Sequence, residues 1–176
     1  MWGSATFFAG SIFFTLAAFI QLALSGRRPP RGFLSTGARA ADWWAAAIQF
    51  AGTLWFNLST GVVLVASLTA GSHTGWRPDA WGSLAFLISS ALAMVAAARR
   101  HELWDPLART WHGTILNMVG SVAFGISAVG AFVLPTTGEL LNEAWANAGT
   151  FLGALCFLAA ALLARRNIEP DAPVHP

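Results

Sequence analysis

The sequence predicts an all-α fold, an integral membrane bundle of five transmembrane helices, and three observations carry that expectation. Only 10% of the 176 residues are charged and 56% are hydrophobic, with a mean hydropathy of +0.58, whereas soluble domains carry about 25% charged residues. The apolar residues fall into five runs, at 2–24, 43–68, 80–98, 111–134 and 144–164, each near the roughly 20 residues that cross a hydrocarbon core as a helix. All the basic residues are arginines, and they stand at the ends of those runs. The strands of a membrane barrel would be about 10 residues of alternating polarity; these runs are longer and apolar on every face. Residues 1–166 therefore read as one transmembrane domain, and the polar, proline-containing 167–176 as a disordered cytoplasmic tail.

The first run has no basic residue before it and Arg27, Arg28 and Arg31 straight after it. A cleavable signal peptide has its positive region first, so 2–24 reads as an uncleaved span. Pro29 and Pro30 break any helix there. Residues 33–41 are expected along the interface, with Asp42 as the N-cap of the second span and Trp43 and Trp44 at headgroup level. The second span ends at the turn-rich 71–79, and the third stops at Arg99-Arg100. Residues 101–109, bearing Trp104, read as an interfacial loop. The fourth span is expected to end before Pro135, and the fifth at Arg165-Arg166.

Nine of the ten arginines lie after spans one, three and five, and only Arg77 lies on the other side. By the positive-inside rule the N-terminus is outside and the C-terminus cytoplasmic, in a multi-pass protein of the cell membrane. The basic balance is thus a topology signal and no nucleic acid is expected as a partner; the lipid bilayer is. Cys156 lies inside the fifth run, where a lone thiol has no disulfide partner.

A motif recurs in all five runs: a Gly, a Ser or Thr beside it, a Phe or Gly four residues after the first Gly, and a small residue at the seventh position. Its copies are Gly3-Ser4 with Phe7 and Gly10; Gly52-Thr53 with Phe56 and Ser59; Gly82-Ser83 with Phe86 and Ser89; Gly120-Ser121 with Phe124 and Ser127; and Gly149-Thr150 with Gly153 and Cys156. Offsets of four and seven share one side of a helix, and small residues let a neighbouring backbone approach closely. Gly3, Gly52, Gly82, Gly120, Gly149 and Gly153 are therefore candidate helix-packing positions, with Phe86 and Phe124 packed beside them. By chain order, spans one and two form one hairpin and three and four another, with five added.

Repeated Gly-Ser-x-x-Phe followed by a small residue resembles the YrhK-like family of small bacterial membrane proteins, best in Gly82-Ser83-Leu84-Ala85-Phe86-Leu87-Ile88-Ser89-Ser90 and in Gly120-Ser121-Val122-Ala123-Phe124-Gly125-Ile126-Ser127. The resemblance covers the second half of the chain. It implies a membrane-helical architecture, with more spans here than that family typically has, and no catalytic residue.

Candidate chemistry is sparse. No Asp, Glu, Arg, Lys or His lies within the expected spans, with His112 at the start of the fourth, whereas ion-coupled transport and proton relays use such groups at depth. Gln21, Gln49, Asn57, Asn117 and Asn147 are the polar amides in or near the spans; they fit hydrogen bonds between helices, and Asn57, Asn117 and Asn147 also fit a polar path. His101, Glu102, Asp105 and His112 lack the helical spacing of a zincin site, so neither metal nor cofactor is expected, and the outer-loop His73 and Asp79 are no stronger. No Ser, Thr or Cys stands beside an activating base in the sequence. The expectation is a non-enzymatic membrane protein, structural or interaction-mediating, assembling with itself or another membrane protein. The alternative is a small uncoupled channel or transporter along the three asparagines.

Overall fold

The computed structural model describes residues 2–26, 37–69, 76–105 and 110–166. The loop arginines 27, 28 and 31, most of the turn-rich 71–79, residues 106–109 and the tail 167–176 lie outside the described residues. Five helices account for most of the rest: α1 (Trp2–Leu24), α2 (Ala38–Thr69), α3 (Trp76–Arg99), α4 (Trp111–Gly130) and α5 (Glu143–Arg166). All five are long and apolar enough to cross a membrane, and the fold is an all-α five-helix bundle.

Several helix ends differ from expectation for local reasons. Helix α2 begins five residues before Trp43, because the alanine-rich 38–41 favours helix and the Gly37 carbonyl receives the first N–H groups, from Ala40 and Ala41. Asp42 therefore lies inside the helix, not at its cap. Helix α3 starts at Trp76 with Pro78 in its first turn, where a missing N–H costs nothing, and Asp79 complements the helix dipole there. It closes on His101, whose φ of 61° is left-handed. The Glu102 N–H then reaches back to the Ala97 carbonyl at 2.9 Å, a Schellman turn.

Helix α4 ends at Gly130, not at Leu134. Residues 131–142 fold instead into a tight hairpin, with Leu134 N–H donating to the Glu139 carbonyl and Leu141 N–H to that of Phe132, around Gly138 at φ 72°. The remaining 20 residues of α4 still span about 30 Å. Asn142 then caps α5, its side-chain oxygen accepting the Trp145 N–H at 3.0 Å.

The most extensive packing joins α2 to α3 and α4 to α5; α3 packs on α4, and α1 packs on α2. The hairpins are thus α2–α3 and α4–α5, and the added helix is α1, not α5. One phenylalanine from each helix meets at the centre. Phe86, Phe124 and Phe157 are buried, and Phe14 and Phe56 pack against them, with ring centroids 5.3–6.2 Å apart. Many large apolar side chains point outward, among them Phe13, Phe19, Phe151, Leu158 and Leu162. That face suits a lipid environment, where apolar exposure is no penalty.

Candidate functional site

Glycine is the residue that lets these helices touch. A Cβ added at Gly149 would stand 2.5 Å from the Ala123 carbonyl oxygen, and one at Gly130 would stand 2.6 Å from the Ala146 nitrogen. Both neighbours are backbone and cannot turn aside. At Gly82 and Gly120 the nearest backbone atoms are the carbonyl oxygens of Gly52 and Gly153, each at 3.1 Å. Gly52 and Gly153 instead receive rings, Phe86 at 2.8 Å and Phe124 at 2.7 Å from the added Cβ.

These contacts come in matched pairs. Gly52 takes the ring of Phe86 as Gly153 takes that of Phe124; Gly82 meets the Gly52 carbonyl as Gly120 meets that of Gly153. The hydroxyls repeat the pattern, since Ser83 donates to the Phe124 carbonyl at 3.2 Å and Ser121 to the Phe86 carbonyl at 3.1 Å. The arrangement is that of a local two-fold axis between α3 and α4, perpendicular to both, which exchanges α3 with α4 and α2 with α5. Antiparallel helices carrying the same Gly-x-x-x-Phe spacing produce it, because each Gly vacates the volume that the partner's Phe or backbone fills.

Further hydroxyls fasten the seams. Ser89 donates to the Ala45 carbonyl of α2, while its neighbour Ser90 turns the other way, to Ser121 and the Asn117 carbonyl of α4. Ser127 bonds the Ala146 carbonyl and the Thr150 hydroxyl of α5, both at 2.7 Å. In the sequence Ser83 and Ser121 fit both small size and a hydroxyl that bonds its own helix or a neighbour; the adjacent Ser89 and Ser90, able to reach two neighbours at once, are the signal for the wider network.

Two copies of the motif sit in a different register from the one read in the sequence. Gly3 has nothing within 4 Å of an added Cβ, and Ser4 and Phe7 do not enter the core. The α1 residues in the bundle are Ser11 and Phe14, one heptad later, with Ser11 bonded to Thr60 at 2.9 Å. Even there Gly10 is idle, with no neighbour within 4 Å. In α5 the equivalent of Gly82 and Phe86 is Gly153 and Phe157, so Gly149 and Thr150 lie one turn along, where they grip Ser127.

The asparagines do not converge. Asn57 is half-buried on α2 and its Oδ1 is buried without a hydrogen-bond partner. Asn117 is half-buried towards the start of α4, and Asn147 is exposed near the start of α5, at the opposite end of the bundle.

Charge gathers at the end of the bundle where α1 and α3 finish and α2 begins. The Arg100 guanidinium bridges Asp42 at 2.6 Å and Glu102 at 2.9 Å, tying the start of α2 to the turn after α3. Partial burial works against the Arg100 charge, but Glu102 and Asp42 outweigh it and raise its pKa above the ordinary value. The hydrogen bond from Thr110, then that from Arg100, lowers the Glu102 pKa. Glu102 is engaged by these two groups, and His112 packs edge-on against Trp111. Among the described residues no three His, Cys, Asp or Glu side chains are grouped as metal ligands would be.

Comparison with protein-family models, with curated proteins and with solved structures finds no match to this chain.

Proposed function

We propose that this chain is a non-catalytic protein of the cell membrane, N-terminus outside and C-terminus cytoplasmic, that acts by assembling with a membrane partner, in the first instance a second copy of itself. The observation that carries this reading is the disposition of polar groups. The interior hydroxyls are engaged in bonds between or within helices, the centre is filled by five phenylalanines, and what is left outward on α1 and α5 is apolar surface. Among the described residues the bundle centre is given over to packing, which supports a reading without catalysis. The resemblance of 82–90 and 120–127 to the YrhK-like family supports the architecture and adds no activity.

The test is the assembly state in liposomes, by single-molecule photobleaching of a C-terminally labelled chain at low protein density. Stepwise loss in two or more steps is expected; single steps throughout would contradict self-assembly and leave a different membrane protein as the partner. A C-terminal reporter active only outside the cytoplasm would overturn the orientation. The alternative, an uncoupled channel, draws on the unpartnered Asn57 Oδ1. Proteoliposome flux that disappears in Asn57→Leu or Asn117→Leu, with the fold retained, would favour it.

A further inference from the structure

Helices α1 and α3 both pack closely on α2 and meet each other through the Phe14 and Phe86 rings at the bundle centre, and at the arginine-bearing end small residues leave the wedge between them open. Ala45 of α2 and Ala93 of α3 form its floor. Gln21 of α1 and Ser25 just after it form one wall, and Arg39 and Asp42 of α2 form the other, around a cavity of about 400 Å³. That volume lies in the range of small-molecule sites.

Its electrostatics are one-sided. Asp42 already has its counter-charge, Arg100 at 2.6 Å. Arg39 is exposed and, among the described residues, has no carboxylate partner, and Arg99 beside it spends one N–H on the Gly37 carbonyl. The cavity therefore presents one uncompensated guanidinium, the exposed Gln21 amide and the Ser25 hydroxyl, which bonds only its own helix, to the Gln21 carbonyl. A guanidinium binds a phosphate through two parallel N–H groups, and basic pockets between membrane helices suit phospholipid headgroups. The alanine floor suits the glycerol and upper acyl carbons, and Trp43, next in sequence to the lining residue Asp42, donates its indole N–H to the Gly26 carbonyl at 3.2 Å, a residue type that favours the interface.

We propose that this cavity binds the phosphodiester headgroup of an anionic phospholipid, with Arg39 as the phosphate ligand and Gln21 as a second donor. The proposal rests on the membrane placement above but not on the assembly state. In native mass spectrometry from mixed phosphatidylglycerol and phosphatidylcholine nanodiscs, the parent chain should retain phosphatidylglycerol preferentially. Arg39→Ala should reduce that adduct about tenfold, the size of one charge-assisted contact, while Arg39→Lys reduces it less and Arg77→Ala, at the opposite end, leaves it unchanged. Arg39 is exposed, so its variants should keep the parent's helix content. Equal retention of the two lipids, or an unaltered adduct in Arg39→Ala, overturns the proposal. Displacement of the lipid by millimolar inorganic phosphate overturns the lipid assignment in favour of a soluble phosphate ester. Release of the chain from membranes by alkaline wash would contradict the membrane reading itself, which adduct loss alone would not.

Discussion

Helix α1 and the four helices that follow it carry the same small-residue motif and use it differently. Only 11% of the most apolar stretch of α1 is buried inside the bundle, against 39% of that of α3. Among α2 to α5 each motif glycine lies under a ring or a backbone of a neighbouring helix, and for Gly52, Gly82, Gly120 and Gly153 the contacts come in matched pairs. In α1 the glycines are idle, and attachment is by hydroxyls, Ser11 to Thr60 and Thr15 to the Thr53 carbonyl, with Phe8 lying over Gly61. A motif is thus permission for close approach, and a partner with the complementary projection is what turns it into a contact.

The comparison can be broken at its centre. Phe86 is wholly buried and Phe14 only partly, so Phe86→Ala should cost more than Phe14→Ala. We expect about 2–3 kcal/mol for Phe86, the low side of core truncations, since lipid, not water, surrounds the alternative state; unfolding in mild detergent measures both. Equal losses would mean that α1 is as integral as α3.

The hydroxyls sharpen the contrast further. Ser121→Ala removes one end of a reciprocal pair and should cost about 1 kcal/mol, whereas Ser11→Ala should cost nearer the membrane average of about 0.6 kcal/mol. A double-mutant cycle on Ser83 and Ser121 should show coupling, because the two bonds clamp the same stretch of α3 and α4.

The smallest effect belongs to the charged cluster. Arg100 is part-exposed, so Arg100→Ala should lower stability by about 0.5 kcal/mol or less. The lowered pKa of Glu102 makes its contribution complete above the ordinary carboxyl value of about 4.3 and lost as pH falls through its folded-state value. Melting temperatures should therefore decline below about pH 4.3 in the parent and less steeply in Glu102→Gln. Arg100, raised from an already high value, stays charged throughout that window.

Five helices were legible in this sequence because bilayer thickness imposes a length that apolar runs display directly. Their ends were less so: residues 38–41 extend α2 through helix propensity and the burial of Ala40 and Ala41, and the hairpin shortens α4 although 131–134 are apolar enough to continue it. Register was harder still. Gly3-Ser4 with Phe7 and Gly10-Ser11 with Phe14 are the same string one heptad apart, and only the neighbouring helix decides which is used. The same ambiguity, four residues wide, separates Gly149 from Gly153. Chain order also misled the pairing, since α1 precedes α2 yet brings no working glycine to it. The three asparagines share a residue type but not a face or a depth. The reciprocal serines and the wedge beside Arg39 are products of packing that no one-dimensional pattern contains.

The central claim is that glycine acts here by admitting the neighbouring backbone, and the most direct test is one methyl group placed at two sites. Thermal unfolding of Gly149→Ala and Gly10→Ala should be compared with the parent in one detergent. An added Cβ at residue 149 meets the Ala123 carbonyl at 2.5 Å, so the first variant should lose about 1–3 kcal/mol by overpacking. One at residue 10 meets nothing within 4 Å, so the second should match the parent or gain up to about 1 kcal/mol of helix propensity. Equal shifts in the two variants, or a Gly149→Ala chain that melts like the parent, would contradict the account.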